Sequence, residues 1–294
     1  MKTIAYRPAF LLVAIALQAW GPVRADEPVN AASDDQPSAS ALERAAAVAR
    51  RFEVRRVDQP DGKNLVAPIE RPLLLFGDDP RNLTRGILWG WGAGRPVAVA
   101  ELWRGRAEDS PYAVSVTLAG LELIVMNSDG ALRWQPAEKQ IDFVPLADAP
   151  PPAAKETGRL RQIKDIARRF TAHEFWDPEN SRFELRLLVQ PVHRYRDAAN
   201  EIQDGAMFVL AHGTNPEALL LIEAAGPTVE GAGWQYGLVR TSNAELHAEL
   251  DGKEVWMQTR VRGGSTKRAH PYFVFSLPSA EKTPAPATPE VQAP

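Results

Sequence analysis

The feature that most constrains this chain is an apolar hairpin that occurs twice. Gln203 to Glu223, QDGAMFVLAHGTNPEALLLIE, is echoed by Thr84 to Trp103, TRGILWGWGAGRPVAVAELW. In each, an apolar run follows a glycine, turns at a Gly-x-x-Pro or Gly-x-Pro corner and resumes as a second apolar run. That pattern predicts two antiparallel strands at the centre of a sheet. The echo extends past the hairpin: Ala49-Arg-Arg-Phe52 recurs as Ala167-Arg-Arg-Phe170, Gly86 as Gly205, Asp129-Gly130 as Asp251-Gly252 and Trp134 as Trp256, at an offset that drifts only from 118 to 122 residues. Ordered matches with a slow drift are what small loop insertions leave behind, so the sequence predicts a tandem duplication.

Each copy opens with a helical pattern. Ser40-Ala-Leu-Glu43 has capping-box spacing, and Leu42, Ala46, Ala49 and Phe52 share one face; Leu160, Ile163, Ala167 and Phe170 rebuild that face in the second copy. Strand patterns follow. Phe183, Leu185, Leu187 and Val189 alternate with Glu184 and Arg186, and Leu246, Ala248 and Leu250 alternate with His247 and Glu249. Ala218 to Ile222 is apolar throughout, as a strand covered on both faces must be. The expectation is an α+β fold: a tandem duplication of a helix followed by an antiparallel β-meander, cystatin-like or NTF2-like in general plan. Its repeats span 40–144 and 159–278, joined by the Pro/Ala-rich linker 145–158.

The ends read differently. Lys2 and Arg7 precede an apolar stretch, and Val23-Arg24-Ala25 offers small residues for cleavage, so residues 1–25 are expected to be a signal peptide and the protein exported to the periplasm or beyond. The apolar run is too short to span a bilayer, and no transmembrane span is expected after cleavage. Losing Lys2, Arg7 and Arg24 takes the formal charge from −3 to −6. Neither that charge nor its distribution offers a nucleic-acid footprint. Residues 26–39 and 279–294, rich in Pro and small polar residues or Ala, are expected to be a disordered leader and tail. The absence of cysteine excludes disulfides, thiolate metal sites and cysteine nucleophiles.

Leu160-Arg-Gln-Ile-Lys-Asp-Ile-Ala-Arg-Arg-Phe170, Glu184-Leu-Arg-Leu-Leu-Val-Gln-Pro-Val-His-Arg-Tyr195, Asp204-Gly-Ala-Met-Phe208, Gly213-Thr-Asn-Pro216 and Trp234-Gln-Tyr236 resemble a family of uncharacterised secreted proteins of planctomycete-type bacteria. The resemblance covers most of the mature chain and implies export, without an activity or site residue to carry over.

Motifs with chemistry are mostly incomplete. His173-Glu174-Phe-Trp-Asp177 lacks the second histidine of a zinc-protease helix, and Gly90-Trp-Gly92-Ala-Gly94 sits in a hairpin without a P-loop lysine, so neither a metal nor any other cofactor is expected. All five histidines, His173, His193, His212, His247 and His270, fall in the second copy. His193 and Tyr195 project from one strand face, and with Glu223 they are the catalytic candidates, an acid–base group of the kind a hydrolase or isomerase cavity needs. The bland alternative is a hydrogen-bonded histidine on a sheet. Trp89 and Trp91, again on one face, and His212 at the hairpin corner are the binding candidates; core packing explains the tryptophans equally well. The sequence thus points to an exported, non-enzymatic binding or envelope-associated protein whose partner is a glycan, a peptide or an envelope protein. The alternative is a small-molecule hydrolase or isomerase with a helix–sheet cavity in the second repeat.

Overall fold

The computed structural model of the protein describes residues 39–56, 65–78, 83–105, 112–118, 123–127, 133–136, 140–261 and 270–277. The expected signal peptide, most of the leader, the turns near 58–62 and 128–130, the basic loop at 262–269 and the tail lie outside the described residues. Helix α1 (Ala39–Ala49) leads into β1 (Phe52–Arg56), β2 (Leu65–Val66), β3 (Leu74–Asp78), β4 (Leu83–Trp91), β5 (Ala98–Gly105), β6 (Tyr112–Leu118), β7 (Leu123–Asn127), β8 (Arg133–Trp134) and β9 (Phe143–Pro145). Helix α2 (Glu156–Ala167) is followed by β10 (Phe170–Phe175), β11 (Phe183–Leu187), β12 (His193–Asp197), β13 (Ile202–His212), β14 (Asn215–Ala225), β15 (Gly233–Arg240), β16 (Glu245–Leu250), β17 (Lys253–Gln258) and β18 (Tyr272–Leu277).

The two apolar runs of the opening motif form the longest hairpin, β13–β14. Its corner is the pair Gly213-Thr214 between the partners His212 and Asn215, and Gly213 has φ of 61°, a backbone conformation that favours glycine. Strand β14 is buried almost end to end because both of its faces are covered. Ala218, Leu220, Ile222 and Ala224 join a core with Ile163, Ile166 and Ala167 of α2, while Leu219 and Leu221 point the other way. Each such fully buried leucine contributes roughly 1.5–3 kcal/mol, so this strand anchors two cores at once.

The second core is the junction of two sheets. Phe76, Leu88 and Val99 of β3, β4 and β5 pack with Met207, Val209, Leu219, Leu221 and Val239 of β13, β14 and β15. Across β4 and β5, Trp89, Trp91, Ala98, Ala100 and Leu102 pack instead with Val48 and Ala49 of α1 and with Phe52, Val54, Trp134 and Phe273. The layers therefore run α1, the β18-β6-β5-β4-β3 sheet, the larger sheet ordered β17-β16-β10-β11-β13-β14-β15-β9, and α2. The remaining sheet, β2-β1-β7-β8, flanks α1 through Phe52 and Val54.

The expected α+β plan is overturned. The chain is mostly antiparallel β, with two helices among the described residues and a sheet curled into a half-barrel, and it is not a tandem repeat of helix-plus-meander units of cystatin-like or NTF2-like plan. The physical reason lies at the sheet edges. Strand β9, from the end of the expected first repeat, pairs with β15; β18, at the end of the expected second, pairs with β6. Each of these pairings satisfies backbone groups that a self-contained meander would leave open. The helical signals were real but short, 11 and 12 residues, and strands dominate the remainder. The Pro-rich segment after β9 is packed rather than free: Leu146 N donates to Trp234 O at 2.8 Å, and the Trp234 indole donates to Pro150 O at 2.9 Å.

Candidate functional site

The structure brings His193, Tyr195 and Glu223 together at the junction of the two sheets. Glu223 on β14 is fully buried and saturated with donors. Arg95, from the β4–β5 loop, donates through Nε to Oε1 at 2.6 Å and through Nη2 to Oε2 at 2.5 Å. The Tyr195 hydroxyl donates to Oε1 at 2.7 Å and Gln235 Nε2 to Oε2 at 2.8 Å. The guanidinium also stands 4.1 Å over the Phe143 ring, and the Arg95 amide donates to Asp197 at 3.2 Å. Burial opposes the charge on Arg95, but Glu223 more than offsets it, and the arginine is held more firmly protonated than usual. Burial and the Glu223 carboxylate push the Tyr195 hydroxyl well above its ordinary range. His193 stacks on Tyr195 at 5.5 Å with Nε2 3.4 Å from Gly94 O, and burial lowers its affinity for a proton. Here a carboxylate with four donors and a neutral phenol form a clasp between sheets; a general base needs a lone pair that is not already committed.

The sequence missed Arg95, which is 128 residues from its partner. The only available signal was its place at the corner where the two hairpins differ. A close approach supports the clasp: a Cβ on Gly205 would stand 2.4 Å from the Tyr195 ring, so this β13 position accepts only glycine while the ring lies across it.

His212 sits elsewhere, at the end of β13. Its Nδ1 is 2.8 Å from Oε1 of the fully buried Glu174, and the ring lies among Phe183 and Trp176 at 5.4 and 6.2 Å. A carboxylate accepts only, so His212 Nδ1 donates, which leaves Nε2 as the nitrogen not bound to Glu174. His173 and Glu174, neighbours in the near-miss protease motif, lie on a strand and point to opposite faces, which ends any shared ligand geometry. Among the described residues no group of three or more histidine and carboxylate side chains is placed to hold a metal.

Trp89 and Trp91 are both buried, at 4% and 1% exposure, in the core between α1 and the smaller sheet. Trp91 meets Phe52 edge to face at 5.8 Å, so neither indole forms an outward platform. Trp89 has a second role. Its Nε1 donates to Ile69 O at 2.9 Å, and its ring closes a cleft of about 330 Å³ lined by Ala49, Arg50, Pro68, Ile69 and Glu70. Ile69 N donates in turn to Gly90 O at 2.8 Å, which fastens the lining segment to β4. The cleft therefore has apolar walls from Ala49, Pro68, Ile69 and Trp89 and one residue of each charge, Arg50 and Glu70.

Comparison with protein-family models, with curated proteins and with solved structures returns no match. No described helix is long and apolar enough to cross a membrane.

Proposed function

We propose that this is an exported, non-enzymatic binding protein and that its ligand enters the cleft beside Trp89. The observation that carries the reading is the lining itself. A volume of about 330 Å³ lies at the lower end of the range for small-ligand sites, which are mostly apolar with a few polar groups that fix orientation. An arginine and a glutamate on otherwise apolar walls suit a small zwitterion with an apolar body, so the ligand class is a short peptide. The signal peptide expected at residues 1–25 and the resemblance to secreted proteins support an encounter outside the cytoplasm.

Isothermal titration with the dipeptides Leu-Leu and Phe-Ala, and separately with cellobiose, tests this. Dipeptide binding that weakens at least about tenfold, roughly 1.4 kcal/mol, in both Arg50→Ala and Glu70→Ala is expected. Saturable binding of cellobiose alone, or dipeptide binding indifferent to both substitutions, contradicts it.

One observation favours the hydrolase or isomerase reading as the second choice. A buried carboxylate bound to one nitrogen of a histidine, as Glu174 is to Nδ1 of His212, is half of an acid–base constellation. That reading requires turnover of a small ester or enolisable substrate that falls at least about 100-fold in His212→Gln.

A further inference from the structure

One row of side chains crosses four strands on the face of the larger sheet turned away from α2. Met257, His247, His173 and Glu184 are successive partners in register on β17, β16, β10 and β11. The two imidazoles lie flat on one another, with centroids 4.7 Å apart and planes 3° from parallel. His247 Nδ1 is 2.7 Å from Glu254 of β17 and its Nε2 is 3.3 Å from Glu245 of β16. Carboxylates accept only, so both nitrogens donate together when His247 is an imidazolium.

We infer that the stacked pair is a proton-operated catch on the β10–β16 seam: a single proton on the pair ties β16 to β17, and a second proton, placed on the ring across the seam, loosens these two strands from β10. Among the described residues, charges from three strands act on the pair. Glu245 and Glu249 come from β16, Glu254 from β17, and Arg182 and Glu184 from β11 and its approach, where Arg182 Nε is bound to Glu184 at 2.6 Å. Thr171 and Phe175, which share the outer face of β10 with His173, do not titrate, and Phe175 closes on both rings edge-on at 5.5 and 5.7 Å.

These surroundings split the pair. Burial opposes charge on His247, but the bonds it donates to Glu254 and Glu245 win and raise its proton affinity. Burial first, then Arg182 and His247, lower that of His173. A raised histidine contributes stability that is complete below the ordinary value of about 6.5 and is lost as pH climbs through its folded value; a lowered one contributes stability that is complete above about 6.5 and is lost as pH falls through its folded value. The seam is therefore tightest near the ordinary value. Below it, two imidazolium rings face each other across 4.7 Å.

Ring NMR titration of the full chain is expected to show His247 titrating above and His173 below that value, with the His173 midpoint moving up in His247→Gln. Amide exchange in β16 and β17, corrected for its intrinsic pH dependence, is expected to rise at least about tenfold between about pH 6.5 and 4.5. In His173→Phe, which keeps a flat ring but takes no proton, that rise should disappear. Coincident midpoints overturn the catch. An acid rise that persists undiminished in His173→Phe overturns it too, because the carboxylates alone would then be responsible.

Discussion

Residue by residue, the buried charges of this protein are anchors. Arg95 is the clearest case, because removing it strands a carboxylate that has no water to turn to. Arg95→Ala should cost about 3–5 kcal/mol, read as a lowered midpoint in denaturant unfolding. Gly205→Ala is expected to lose about 1–3 kcal/mol as the Tyr195 ring is forced off β13. His193 sets a pH signature. Burial lowers its proton affinity, so the unfolded chain binds the extra proton first and stability falls as pH drops below about 6.5 through the depressed folded value. The difference in unfolding free energy between pH 7 and pH 5 should shrink in His193→Gln. Arg240 is a related case: burial brings its proton affinity down to about 10, and its guanidinium is spent on the carbonyls of Ser242, Ala244 and Thr259.

At the scale of elements, most strands were legible and most of their partners were not. The runs Tyr112 to Leu118 and Tyr272 to Leu277 carry the apolar, β-branched and aromatic residues of strands, and they are β6 and β18. Nothing local says that they pair with each other, since register is set by edges and packing that only the folded chain supplies. Helix α2 shows the same limit. Its expected apolar face holds for Ile163 and Ala167, yet the helix is also pinned by Arg159, 4% exposed, whose Nε meets Asp204 of β13 at 2.8 Å. A charged residue on a helix reads as solvated until its partner, 45 positions away, is known. The candidate trio was legible as a cluster because His193 and Tyr195 share a strand face. Its chemistry was not, because Arg95 comes from the β4–β5 loop, 128 residues from Glu223 in sequence. Strand β18 offers a test at this scale. Phe273 stacks on Trp134 at 6.0 Å, whose indole donates to His270 O at 2.7 Å, so Phe273→Ala should cost about 3–5 kcal/mol and expose Trp134 to quencher.

The molecule as a whole has two sheets packed face to face and sealed by a polar clasp, with the Trp89 cleft on the α1 side of the smaller sheet. The exchange of β9 and β18 between the halves, together with the shared core, implies that they lose structure together. Thermal unfolding followed separately by tryptophan fluorescence and by far-ultraviolet dichroism should give coincident transitions. The measurement that bears most directly on the clasp is a double-mutant cycle of Arg95→Met and Glu223→Gln in denaturant unfolding. A coupling of at least about 2 kcal/mol is expected, with the double variant losing well under the sum of the singles. Losses that add to within about 0.5 kcal/mol would contradict the clasp and return Glu223 to the list of groups available for chemistry.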